Sequence, residues 1–237
     1  MPVPRDPSLA ITPLPGSPRE RLETAHALGA RAVVLDVTLP GLRPRELDRS
    51  ARRGLFALLR RLELRLDGVD LPIPPAHFTD PARQDRAISV VAETAVFLAE
   101  ASSLAETTRI VHLAAPDPHA AAAAAETDTF LTAPSAEALP PPYLPALDLA
   151  ELAAGPNDPL EVIAATPGLG ALRLADSRAG SRCPLGEGAL DVGAVYAVVS
   201  TTAPGASLVI DPRQLPDARA GAGRSLRAWA DAARPLF

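Results

Sequence analysis

Short apolar runs separated by longer stretches of helical periodicity limit this chain more than any other feature. The clearest run is Ala32-Val33-Val34-Leu35-Asp36, apolar until it closes on an acid. Before it, Ser17-Pro18-Arg19-Glu20 has serine as N-cap, proline at the first helical position and glutamate at the third, the pattern of a capping box, and that helix ends near Gly29. Strand, helix, strand in that order reads as βα units building a parallel sheet.

The alternation continues. Leu9–Leu14 precedes the first helix as a strand, and Pro44–Leu62 is helical, with Leu47, Leu55, Leu58, Leu59 and Leu62 as its apolar stripe. Leu64–Val69 reads as a third strand, Asp80-Pro81 opens a helix running to about Ala101, and Arg109–Leu113 is a fourth strand. Asp117-Pro118 starts another helix through an alanine run. Thr127–Thr132 is strand-like, Ser135–Leu139 reads as one helical turn, and Pro140-Pro141-Pro142 as an extended segment. Leu144–Leu149 and Ala171–Ala175 are strands with a helix from Asp158-Pro159 between them, and Asp176 to Gly188 reads as a long loop. A helix over Leu190–Val199, a strand over Ser207–Ile210 and a last helix over Ser225–Ala233 follow, with residues 214–223 as a flexible loop. About eight strand–helix pairs result, with thin helices in the second half. Residues 1–237 are expected to form a single domain, because the alternation crosses the triple proline, the one candidate linker. Periodicity alone leaves a closed barrel and an open doubly wound sheet both available.

Composition removes several function classes. All 23 basic residues are arginine, against 28 acids, for a net charge of −5 and a sequence pI near 5.4. The arginines are scattered, without the basic stripe of a nucleic-acid binder, and no nucleic-acid partner is expected. No uninterrupted apolar stretch of about 18 residues occurs, so no membrane-crossing helix is expected. The prolines at 2, 4, 7, 13 and 15 are unlike a secretory signal. Cys183 is the single cysteine, which forbids an intramolecular disulfide and suggests a reducing, cytoplasmic setting. It has no base beside it in sequence, so a nucleophilic role is not expected. Gly186-Glu187-Gly188 lacks the Gly-Lys-Ser/Thr of a phosphate loop. Trp229 and Phe56 are expected in the core.

Several segments resemble the sugar phosphate isomerase/epimerase family, the xylose isomerase-like TIM barrels. Gly29 to Asp36 is similar to that family's second strand. Leu42-Arg43-Pro44, Glu46-Leu47, Ser50 and Arg52-Arg53 are similar to the segment after it, as is the helix from Asp80-Pro81 with Asp85-Arg86. Leu174-Ala175-Asp176-Ser177-Arg178, then Pro184 to Gly188 and Asp191, resemble the seventh strand and its loop. The resemblance implies a small (β/α)8 barrel. It also implies a divalent cation, Mg²⁺ or Mn²⁺, held by carboxylates where strands five to eight end, and a small sugar or sugar phosphate as substrate.

An acid lies near each of those ends: Glu126, Asp148, Asp176 and Asp211. These are the expected metal ligands, oxygen donors of the kind such cations favour. Glu126 and Asp211 are the candidates for moving a proton beside a polarised carbonyl. Asp36 and His112, at strand ends, and Arg173 are expected to meet substrate. Two departures from the family pattern bear on the metal. Aspartate stands at 211 where the family usually has glutamate, and Arg173 takes a position where histidine is frequent. A guanidinium cannot ligate a metal, so Arg173 is expected to neutralise a buried acid or bind a substrate phosphate. His26, His77 and His119 show no zinc spacing. Two functions follow: a metal-dependent isomerase or epimerase, or a barrel that kept the fold and lost that chemistry. A repair nuclease like endonuclease IV is disfavoured by four scattered histidines and the acidic balance.

Overall fold

The computed structural model describes residues 6–234. Eight parallel strands close into a barrel: β1 (Ser8–Ala10), β2 (Ala32–Asp36), β3 (Arg65–Leu71), β4 (Ile110–Leu113), β5 (Phe130–Pro134), β6 (Tyr143–Asp148), β7 (Ala171–Leu174) and β10 (Ser207–Ile210). Each pairs with its neighbour in sequence order, and β10 returns to β1, so no edge stays open. The fold is therefore a (β/α)8 barrel. An antiparallel hairpin, β8 (Asp176–Arg178) with β9 (Ser181–Cys183), follows β7 within the segment read as a loop from sequence.

The helices between strands are α1 (Pro18–Ala27), α2 (Arg49–Arg61), the short α3 (Ala76–Thr79) with α4 (Gln84–Leu104), α5 (Pro118–Ala125), α6 (Leu149–Ala154), α7 (Pro159–Ala165), α8 (Val192–Thr202) and α9 (Ala218–Ala232). Much of the acid content is spent on starting them. The Ser17 capping box forms on α1, and Asp48, Asp117, Asp148, Asp158, Asp191 and Asp217 each cap a helix through a backbone N–H. The helices' inner faces, with Leu22, Phe56, Leu98, Val195 and Trp229, bury against the outward residues of the strands in one core. Ala10, Val34 and Val209 form a separate small cluster. The register pairs Ala10 with Val34 and Val209 with Arg173, so these side chains share one face of the sheet, the barrel's inside.

Several expectations change. The helix expected from Pro44 is a short 3₁₀ turn, Pro44–Glu46, and α2 starts only after the Asp48 cap. Ser135–Leu139 is not helical: the Ser135 hydroxyl accepts from Glu137 N, a local turn. The triple proline is a turn closed by Tyr143 N–H on Pro140 O, where an extended segment was expected. Residues 218–223, read as loop, open α9. Asp217 caps its start, and Gly221 packs closely on Leu215, whose Cδ1 would lie 2.4 Å from a Cβ there. Among the described residues one helix, α4, is long and apolar enough to cross a membrane by length and composition. Its Val91, Ala95, Phe97 and Leu98 are packed into the barrel core.

Candidate active site

The strand register builds a ring at the C-terminal mouth. Asp36 pairs with Asp70, Asp70 with His112, and His112 with Thr132. Parallel partners face the same side, and Asp36 is two residues beyond the inward Val34, so all four point into the mouth. Across the barrel Asp148 pairs with Arg173, and Asp211 lies two residues past the inward Val209. A cavity of about 510 Å³ opens over this ring, lined among others by Thr12, Asp36, Asp70, His112, Thr132 and Arg173. A second, of about 500 Å³, adjoins it and shares Asp148, Glu151 and Arg213.

Arg173 bridges the ring. Its Nη1 donates to Asp211 Oδ2 at 2.8 Å and its Nη2 donates to Asp70 Oδ1. Arg213 adds two hydrogen bonds from Nε to the Asp211 carboxylate, at 2.8 and 3.0 Å. Arg182, reaching in from β9, donates from Nη1 to both oxygens of Asp148, at 2.9 and 3.1 Å. Burial by itself would raise the Asp211 carboxyl, but Arg173, Arg213 and Arg182 outweigh it and hold it at about 2. Burial would likewise lower the Arg173 guanidinium, and the charges of Asp70 and Asp211 carry it upward instead. His112 is pushed down to about 4, chiefly by burial, with Asp70 opposing and Arg173 assisting. Its Nδ1 is 2.7 Å from Thr132 Oγ1, while its Nε2 is buried without a hydrogen-bond partner among the described residues. Gly68 makes room for that ring: a Cβ there would lie 3.2 Å from Nε2 and 2.9 Å from Ile110 O. Asp36 differs from the other strand-end acids. Its Oδ1 accepts from Thr38 N and Oγ1 at 2.8 and 2.5 Å, and no ion pair reaches it among the described residues.

Asp36, His112, Asp148, Arg173 and Asp211 therefore meet at one mouth. Glu126 does not. It is the exposed C-cap of α5, at the end of the barrel where β5 begins, so it reaches neither metal nor substrate at the mouth. Asp176 is buried but turned away from the ring. Its carboxylate accepts from five backbone N–H groups, those of Ser177, Gly186, Gly188, Ala189 and Leu190, at 2.8 to 3.3 Å. It organises the loop after β9. Asp176→Ala is expected to lower stability in urea unfolding by at least about 3 kcal/mol, since five donors lose their acceptor. Asp176→Asn is expected to recover only part, because its amide nitrogen would confront the N–H groups of Gly186 and Gly188.

This donor set does not fit a divalent cation. Asp70, Asp148 and Asp211 each carry a guanidinium, and among the described residues no group of three His, Cys, Asp or Glu converges as ligands do. Asp70, Arg182 and Arg213 escaped the sequence reading. The strand-end rule that marked Asp36 would have marked Asp70, its register partner, had β3 been carried to Leu71. For Arg182 there was no signal, because the hairpin that brings it over the mouth has no distinctive sequence.

No protein-family model and no curated protein matches the chain at a significant level. Solved structures do. A xylose isomerase domain protein from Alicyclobacillus acidocaldarius superposes with TM-score 0.69 at 14% identity, covering 96% of this chain and 99% of the other. The D-psicose 3-epimerase of Clostridium cellulolyticum, solved with D-tagatose, gives 0.71 at 12%, covering 96% and 100%. A xylose isomerase-like TIM barrel protein from Mycobacterium smegmatis, solved with magnesium, gives 0.63 at 12%, covering 97% and 98%. At this identity the likeness establishes the fold, which is that of the xylose isomerase-like barrels.

Proposed function

We propose that this xylose isomerase-like barrel binds a small sugar or sugar phosphate at its mouth, and that an arginine–carboxylate lattice replaces the metal centre a sugar isomerase or epimerase of this fold would use. The observation that carries the reading is Arg173, held between Asp70 and Asp211 across the mouth. A fixed cation there supplies positive charge without an open coordination position, so it can orient an oxygen by hydrogen bonding but cannot exchange a ligand. The cavity is of a size usual for small-molecule sites. Thr12, Asp36 and Arg213 on its walls offer the mixed donors and acceptors that hydroxyl groups require. Of the two functions open from sequence, this favours the barrel that kept the fold and lost the metal chemistry.

Isomerase or epimerase activity is the second reading, supported by the epimerase among the structural neighbours. In a site without metal, the group to move a proton is Asp36, the strand-end carboxylate free of arginine. Thermal unfolding tests the first reading and a turnover assay the second. Ketohexoses and their phosphates, in the presence of EDTA, are expected to raise the melting temperature of wild type, with no added effect of Mn²⁺. Stabilisation that requires Mn²⁺ would sink the metal-free reading. Turnover in EDTA that disappears in Asp36→Asn would establish the second.

A further inference from the structure

A separate cavity, of about 450 Å³, lies beside the mouth and shares only the Pro72 wall with it. Three segments converge on it: the turn after β2, the loop Pro72–His77 after β3, and one face of α4. Arg83, the N-cap of α4, and Arg86, Ala87, Val90 and Glu93 within it line the cavity, spaced as a single helical stripe. Its floor is apolar, with Leu71 and Ile73 buried beneath it. Its rim is cationic.

The rim charges are unequal in what holds them. Arg43 is paired with Glu46 at 2.8 Å, and Arg83 with Asp80 at 3.3 Å. Arg83 also donates from Nη1 to His77 Nε2 at 2.9 Å, which fixes that nitrogen as an acceptor. Arg45 and Arg86 line the cavity and form no hydrogen bond or ion pair with any described residue. One acid, Glu93, also lines it, and its carboxylate accepts from Ser89 Oγ at 3.1 Å. Two unpaired guanidiniums therefore stand over an apolar floor, a planar donor array of the kind that receives carboxylate or phosphate oxygens in pairs.

We infer that this cavity binds an organic anion with an apolar body: a compact aromatic or branched aliphatic phosphate monoester or carboxylate. The body rests on Leu71, Ile73 and Val90, and the anionic head meets Arg45 and Arg86. The inference is independent of what occupies the barrel mouth.

Calorimetric titration of the intact chain with 1-naphthyl phosphate tests it, with 1-naphthol as the neutral counterpart. Saturable binding of the phosphate is expected, about tenfold or more tighter than of the naphthol, since each charge-assisted hydrogen bond contributes on the order of a tenfold change. Arg45→Ala/Arg86→Ala is expected to lose at least that factor. Both side chains belong to exposed residues, so the variant is expected to keep the wild-type melting temperature. Arg60→Ala/Arg61→Ala, which removes two exposed charges of α2 that do not line the cavity, is expected to bind as wild type. Naphthoate binding with the same arginine dependence would extend the site to carboxylates. Absence of saturable binding, equal binding of phosphate and naphthol, or binding that survives the double variant but is lost in Arg213→Ala would each overturn the inference.

Discussion

Arg173→Ala is expected to destabilise the fold by about 3–5 kcal/mol, the range for removing one partner of a buried ion pair, and to create an affinity for Mn²⁺ that wild type lacks. The two effects share one cause. With the guanidinium gone, Asp70 faces Asp211 across the mouth without its cation, and Asp211 keeps only Arg213 and the more distant Arg182. Asp70 is 7% exposed, so water cannot compensate its charge. A divalent cation that binds the folded state then recovers stability by mass action. The measurement is urea unfolding of wild type and variant, each with and without Mn²⁺, beside direct titration with the metal. Arg213→Ala serves as a control, because it strips the Arg213 contacts from Asp211 while leaving Arg173 between the acids. Saturable Mn²⁺ binding by wild type would show that the lattice opens to admit a metal, and the metal-free reading of the site would fail. A variant that is destabilised but gains no metal would show that the acids are too far apart to ligate together.

The second large effect is on pH dependence. His112 titrates at about 4 in the folded chain against 6.5 in the unfolded one. Below 6.5 the unfolded chain takes up a proton that the buried imidazole refuses. The stabilisation from keeping His112 neutral is therefore complete above 6.5 and is lost as pH falls toward 4. Its size is about 3 kcal/mol. A second loss follows at lower pH. Asp211, held at about 2 against 3.8, contributes stability that is present above 3.8 and disappears as pH drops through 2. The charges facing His112 are Asp70, Asp67, Asp211 and Arg173. His112→Gln keeps a hydrogen-bonding group toward Thr132 and removes the titration. It is expected to flatten the profile between pH 6.5 and 4 while leaving the Asp211-linked fall below pH 3.8 in place. An unchanged slope in that variant would mean that His112 opens to solvent in the folded state.

The elements with a chemical reason to start or stop were legible in sequence. Ser17-Pro18-Arg19-Glu20, Asp117-Pro118, Asp158-Pro159 and the apolar run 32–36 all mark elements of the structure. Elements failed to read where a local signal was ambiguous. The glycines 221 and 223 look like a loop, yet they lie in α9, with Leu215 and Leu28 packed where their side chains would be. An acid after a helical run looks like a strand-end ligand, but Glu126 only ends its helix.

The sequence by itself determined the order of strands and helices, since periodicity and capping act over a few residues. It also placed Asp36, His112, Asp148 and Asp211 near strand ends and Arg173 within a strand. Their partners were decided by tertiary structure alone. Asp70 and Arg173 are 103 residues apart, and Asp148 and Arg182 are joined only through the hairpin after β7. Whether an acid is a ligand or half of an ion pair depends on which cation the closed barrel brings within hydrogen-bonding distance. That distance is set by register and barrel closure, and no local pattern in the chain records it.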